Sequence, residues 1–213
     1  MAYNFTSASS QYLSMTSSPV SGPPLTMACW FNASQTTTSD YLVSVSAALD
    51  NYFGLAILGA NAGDPVGAFD YGGIGFGPYF AYTTAGYTAN TWNHAAGVWT
   101  GLNNRTAYIN GGNSSTNTST QNNIILTRSQ IGANAVAATN RMNGLIAEVG
   151  IWNAALTAAE VASLAKGMTC DKVRPQNLVF YAPLVRDLID QKGGLTITNN
   201  NGATVANHPR VYA

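Results

Sequence analysis

Leu25-Thr-Met-Ala-Cys-Trp-Phe31 alternates strictly, and the period of two puts Leu25, Met27, Cys29 and Phe31 on one face of an extended segment. Such a run is a half-buried strand, and its neighbours repeat the pattern. Tyr41-Leu-Val-Ser-Val-Ser46 and Tyr52-Phe-Gly-Leu-Ala-Ile-Leu58 read as the next two strands, joined by a turn at Asp50-Asn51. Thr91-Trp-Asn93 leads into a strand over His94–Thr100. Gly101-Leu-Asn-Asn104 then turns the chain into Arg105–Asn110, and Asn110-Gly111-Gly112 is a second strong hairpin signal. The polar tract Asn113–Asn123 reads as a surface loop. Further strands are expected at Ile124–Leu126, Gln130–Gly132 and Leu145–Trp152. Many short alternating segments separated by turn clusters define an antiparallel all-β protein.

One helix interrupts the strands. Thr157-Ala-Ala-Glu160 is a capping box, in which the Thr157 hydroxyl accepts from the Glu160 amide and the Glu160 carboxylate reaches back to the Thr157 amide. Leu156 before the cap and Val161 after it form a hydrophobic staple. Gly167 is a left-handed stop, so the helix spans about residues 158–166.

The composition narrows function. The chain has 213 residues, the size of one all-β domain or two small ones. Only 8% of residues are charged, nine basic against nine acidic, where a soluble domain usually carries about 25%. A nucleic-acid binder needs clustered Lys and Arg, and so does a protein that docks on anionic membranes. Neither partner is expected. Ser, Thr, Asn and Gly interrupt every apolar run, so no stretch approaches the roughly 18 residues of a membrane span. The first residues, Met1-Ala-Tyr-Asn-Phe-Thr6, lack the basic start and apolar core of a secretory signal. Two cysteines, Cys29 and Cys170, are too few for a disulfide framework, and Cys29 reads as a buried free thiol.

Several segments taken in order resemble the laminin-G-like jelly roll of the concanavalin-A-like lectin/glucanase superfamily. They are Pro24–Trp30, Thr91–His94, Thr106–Gly111, Ser129–Gly132 and, most specifically, Met142-Asn-Gly-Leu-Ile-Ala-Glu-Val-Gly-Ile-Trp-Asn-Ala-Ala-Leu-Thr-Ala-Ala-Glu160. The family usually has Asp before the Glu of that last block. Here the position is Ala147, which leaves Glu148 as a structural carboxylate. Leu178–Leu184, Asp187, Asp190 to Gly194 and Asn201–Thr204 look like the family's opening segment, placed here after the helix. The resemblance therefore implies one domain over residues 1–213. It would be a circularly permuted antiparallel jelly-roll β-sandwich whose closing strands come from residues 176–213. Similar domains occur in bacteriophage structural proteins. That implies a virion surface component, a capsid decoration or adhesion module made in the host cytoplasm. Its partners would be other virion proteins, copies of itself or cell-surface glycans. A stand-alone carbohydrate-binding module is the alternative, and a glycoside hydrolase a distant third.

Candidate chemistry is sparse. Glycoside hydrolysis needs two carboxylates about 5–10 Å apart, and Glu148 has no acidic residue at 146 or 150. His94 and His208 belong to no triad pattern and no zinc spacing. His94 reads as a hydrogen-bonded sandwich residue and His208 as a turn or interface residue. No cofactor is expected, although relatives hold calcium at one rim. Asp187 and Asp190 are the tightest candidate pair for it, with Asp50, Asp64 and Asp70 in loop-like positions. The unusual segment is Phe69–Tyr87, where aromatics interleave with glycines. Tyr71, Phe76, Tyr79, Phe80 and Tyr82 are the candidate contact residues, for a protein partner or a sugar ring. The competing reading makes them core residues of two ordinary strands. Gly72-Gly-Ile-Gly-Phe-Gly77 has the wrong spacing and context for a dinucleotide loop.

Overall fold

The fold is described from a computed structural model, which describes residues 1–47, 51–72, 77–122 and 125–212. Fifteen strands and one α-helix are found among them. They are β1 (Ala2–Phe5), β2 (Tyr12–Met15), β3 (Leu25–Ala33), β4 (Ser39–Ser46), β5 (Asn51–Leu58), β6 (Pro65–Gly72), β7 (Tyr79–Gly86) and β8 (Asn93–Gly101). There follow β9 (Asn104–Ile109), β10 (Gly112–Asn117), β11 (Arg128–Ile131), β12 (Gly144–Trp152), α1 (Ala158–Ala165), β13 (Leu178–Ala182), β14 (Thr198–Asn200) and β15 (Thr204–Ala206).

Two antiparallel sheets face each other, as the alternation requires when each strand hides one side. The first runs β10-β9-β8-β3-β12-β1-β15, and the second β14-β2-β11-β4-β5-β6-β7. Strand β12 changes partners halfway. Its first residues pair with β1, Tyr3 opposite Ile146, and its last with β13, Phe180 opposite Ile151. The last stretch of chain thus enters both sheets, because β15 pairs with β1 and β14 with β2. The expected face of β3 is fully buried at Leu25, Met27, Cys29 and Phe31. These residues join Phe53, Leu55 and Ile57 of β5 and Trp99 of β8 in one core. Phe53 and Trp99 meet edge to face, with ring centroids 5.9 Å apart.

The outer face of the first sheet is covered. Val161 and Leu164 of α1 pack with Ala28, Ala96, Val98 and Trp152. The capping box forms as expected: Thr157 N donates to Glu160 Oε2 at 2.7 Å, and Glu160 N to Thr157 Oγ1. Asn110 and Gly111 both have positive φ, which the tight β9–β10 turn requires. Among the described residues, no helix is long and apolar enough to cross a membrane.

Two expectations fail. The polar tract after Gly111 begins as strand β10, through Asn117. It buries no face, so it shows no hydrophobic alternation, yet β9 pairs with it on both sides of a bulge between Gly112 and Ser115. Conversely, Ile125 and Leu126 form no strand, while Ile124 lies outside the described residues. The β4–β11 ladder starts at Arg128 opposite Ser46, the last residue of β4, and Thr127 adds one amide bond to the Ser46 carbonyl. The expected Asp50-Asn51 turn also falls partly outside, at Asp50; Asn51 opens β5.

Candidate functional site

The outer face of the second sheet carries an aromatic surface. Alternation along β5, β6 and β7 turns Phe53, Ala68 and Ala81 inward, and Tyr52, Phe69, Tyr71, Phe80 and Tyr82 outward. Register aligns the outward rings. Phe69 lies opposite Phe80, and their rings stack at 4.5 Å between centroids and 19° between planes. Phe80 stacks in turn on Tyr82, at 5.3 Å and 7°. Tyr41 of β4 and Tyr52 close the ladder edge-on to Phe69, at 5.4 and 5.8 Å. Tyr52 also meets Tyr71 at 5.7 Å.

Glycines make room for these rings. Gly54 sits opposite Phe69, and a Cβ there would come within 2.6 Å of the Phe69 ring. Gly67 sits opposite Tyr82, and a Cβ there would meet Leu58. Phe69 is buried beneath the ladder, whereas Tyr82 is 40% exposed. Burial raises the Tyr82 phenol above its ordinary range and raises Tyr41 further. Both hydroxyls are therefore neutral hydrogen-bonding groups at pH 7. Asn134 Nδ2 donates to the Tyr41 hydroxyl at 3.1 Å.

Two clefts flank Tyr82. One, of about 210 Å³, is lined by Ser39, Tyr41, Phe80, Tyr82, Asn61 and Asn140 among others. The second, of about 320 Å³, opens beyond Tyr82 between the Asn61–Pro65 turn and Thr83–Ala85. Neither lining contains Lys, Arg, Asp, Glu or His.

Strand β7 is held from behind. Its carbonyls at Phe80 and Tyr82 accept from Asn117 Nδ2, at 2.8 Å, and from Ser115 Oγ, so β10 covers the edge of β7. Asn117 Oδ1 accepts from Arg105, whose Nε lies 2.6 Å from Asp70 Oδ2. Gln121 Nε2 donates to the other Asp70 oxygen. Burial pushes the Asp70 carboxyl up to about 6 against the pull of Arg105 and Gln121, so it is ionised at pH 7.

Among the sequence candidates, Tyr71, Phe80 and Tyr82 share this outer face. Tyr79 does not: it has the parity of Ala81 and lies beneath the Arg105 guanidinium, 5.7 Å from ring centroid to Cζ. It lies off this face because one residue of offset along a strand reverses the side. Phe76 lies outside the described residues. Tyr41, Tyr52, Asn61 and Asn140 were missed. They come from other strands and loops, and only the strand register unites them with β7.

The remaining candidates lie elsewhere. Glu148 is buried at the β12 irregularity with φ 53°, accepts from the Tyr181 hydroxyl at 2.7 Å and faces His208 Nε2 at 3.1 Å. It is a structural carboxylate. His94 is buried edge-on to Trp30, and burial lowers its pKa to about 3. Its amide donates to Asn110 Oδ1 and its carbonyl accepts from Asn110 N, both at 2.8 Å, while its Nδ1 has no hydrogen-bond partner. Asp190 accepts from the amides of Tyr181, Lys192 and Gly193 with one oxygen and of Leu195 with the other. Asp187 is exposed. Asp190 organises its turn through these amides, and no cluster of three or more His, Cys, Asp or Glu side chains occurs among the described residues. Cys29 and Cys170 are free and buried.

A two-sheet antiparallel sandwich with one face under a helix and the other an open aromatic platform is a lectin-type jelly roll. The chain belongs to the Laminin_G_3 family of the concanavalin A-like lectin/glucanases superfamily, whose model matches residues 7–162. Solved structures share the fold at low identity. A Bacteroides ovatus protein whose assigned role is carbohydrate binding has a TM-score of 0.70 at 17% identity, over 99% of this chain and 61% of that one. A heptameric SAP-like pentraxin from Limulus polyphemus gives 0.63 at 14%, over 93% and 89%. The CBM40 module of Ruminococcus gnavus IT-sialidase, bound to α2,3-sialyllactose, gives 0.57 at 16%, over 69% and 84%. This chain thus spans about three fifths of the Bacteroides protein. No curated protein matches it by sequence.

Proposed function

We propose that the protein is a non-catalytic glycan-binding module whose site is the aromatic face of β5, β6 and β7. One observation carries this reading: the Phe69–Phe80–Tyr82 ring ladder ends in a half-exposed tyrosine flanked by two clefts with uncharged polar linings. Flat rings offer the C–H face of a sugar an apolar surface, while Ser and Asn side chains bond its hydroxyls. Hydrolysis would need a pair of carboxylates, and the clefts have none. The carbohydrate role assigned to the Bacteroides protein and the sialyllactose on the Ruminococcus module support the class.

Membership of a virion surface remains a second reading of the same molecule. Its support is the 8% charge: a surface so poor in charge loses little solvation when neighbours cover it. Co-purification with particles tests it, and a protein that never sediments with any assembly overturns it.

The glycan reading is tested on an array of immobilised oligosaccharides. Wild type binds at least one class. Tyr82→Ala loses the signal, while Tyr212→Ala, exposed but outside the platform, keeps it. No binding across the array, or equal binding by the two variants, rejects the reading.

A further inference from the structure

Tyr82 and Asn61 line both clefts, so the two are one groove partitioned by a tyrosine ring. One face of that ring is committed to Phe80. Phe80 lines the first cleft but not the second, which is lined by Tyr82, Thr83, Thr84, Ala85 and the turn residues Asn61, Ala62, Gly63 and Pro65. A ring in the first cleft meets Phe80, Tyr82 and the Ser39 and Asn140 side chains. A ring in the second meets Tyr82 and the Thr84 hydroxyl. Thr84 is exposed and two residues beyond Tyr82, on the same face of β7. Each cleft therefore has its own apolar wall and its own polar groups, with Asn61 between them.

Charge selects among sugars. A carboxylated or sulfated glycan is held by charge-assisted hydrogen bonds from Arg or Lys. Neither lining has such a side chain, and the aromatic faces favour uncharged C–H surfaces.

Resting on the glycan-binding reading, we infer that the groove takes a neutral oligosaccharide of two or more rings laid across Tyr82, one ring in each cleft. Length and neutrality are then both recognised. Titration calorimetry with glucose, xylose and arabinose, their β-linked or α-linked trisaccharides, lactose and 3′-sialyllactose tests this. At least one neutral trisaccharide binds about tenfold or more tighter than its monosaccharide, the equivalent of one added ring contact. Sialyllactose binds no tighter than lactose. Thr84→Ile, which narrows the second cleft and removes its hydroxyl, brings trisaccharide affinity down toward the wild-type monosaccharide value. Equal affinity for one ring and three, or a tenfold preference for sialyllactose over lactose, overturns the inference while sparing the glycan-binding reading. No binding by any sugar overturns both.

Discussion

Arg105 and Asp70 meet inside the sandwich with Nε 2.6 Å from Oδ2, and neither side chain reaches solvent. The pair joins β9 to β6, and through Asn117 it reaches the carbonyl of Phe80. Two of the protein's eighteen charged side chains are thus spent beneath the aromatic platform. Removing one partner strands a buried charge, which costs about 3–5 kcal/mol. Arg105→Met should therefore destabilise strongly in urea unfolding, and the double variant Asp70→Leu/Arg105→Met should be more stable than Arg105→Met alone. A double variant no more stable than the single one would show that the pair's hydrogen bonds, and not the stranded charge, set the cost.

Platform geometry depends on Gly54. Valine there would press its Cβ into the Phe69 ring, which Phe80 stacks from the other side. Overpacking of this kind costs about 1–3 kcal/mol. Gly112→Ala, whose Cβ meets nothing within 4 Å, should stay within about 0.5 kcal/mol of wild type. Thermal melts of both variants check the contrast.

Acid should weaken the fold through His94. Burial holds the native imidazole neutral down to about pH 3, whereas the unfolded chain takes up the proton near 6.5. Between those values His94 carries its proton only in the unfolded state, so its contribution to stability is full above pH 6.5 and is lost as pH falls, by up to about 1.4 kcal/mol per unit. Asp70, raised to about 6, acts in the opposite sense. His94→Phe should flatten that limb between pH 6 and 4; an unchanged slope in the variant would exclude His94 as its source.

The helix cap offers a local test. Thr157→Ala should cost about 1 kcal/mol by removing the acceptor for Glu160 N. Glu160 also binds Arg174 through both carboxylate oxygens, at 2.8 and 2.6 Å. Glu160→Ala should therefore cost more than Thr157→Ala in the same unfolding assay, and the two losses should not add, because the box is reciprocal.

Both thiols should be inert in the native state. Burial pushes Cys29 and Cys170 well above the usual thiol range, leaving little thiolate to react. Labelling with a disulfide reagent should be slow in buffer and yield two equivalents in denaturant. Rapid native labelling of either cysteine would contradict its burial.

Patterns within about ten residues were legible in the sequence. Alternation at Leu25–Phe31 found a core strand, Thr157-Ala-Ala-Glu160 found the helix start, and Asn110-Gly111 found the hairpin, because each is set by backbone sterics and neighbouring side chains. Strand β10 was illegible for the converse reason: an edge strand with no buried face leaves no period to read. The aromatic content of Phe69–Tyr87 was equally plain, but its division between faces was not, and Tyr79 lies on the opposite side by one position.

By itself, then, the sequence determined an antiparallel all-β chain with one capped helix and a surface poor in charge. Tertiary structure decided which rings became a site. Phe69, Phe80, Tyr82, Tyr41 and Asn140 come from separate strands and loops, and only cross-strand register brings them together. Register is a long-range property: it depends on which strands pair and where each bulge falls, and neither is encoded in the residues of any one strand.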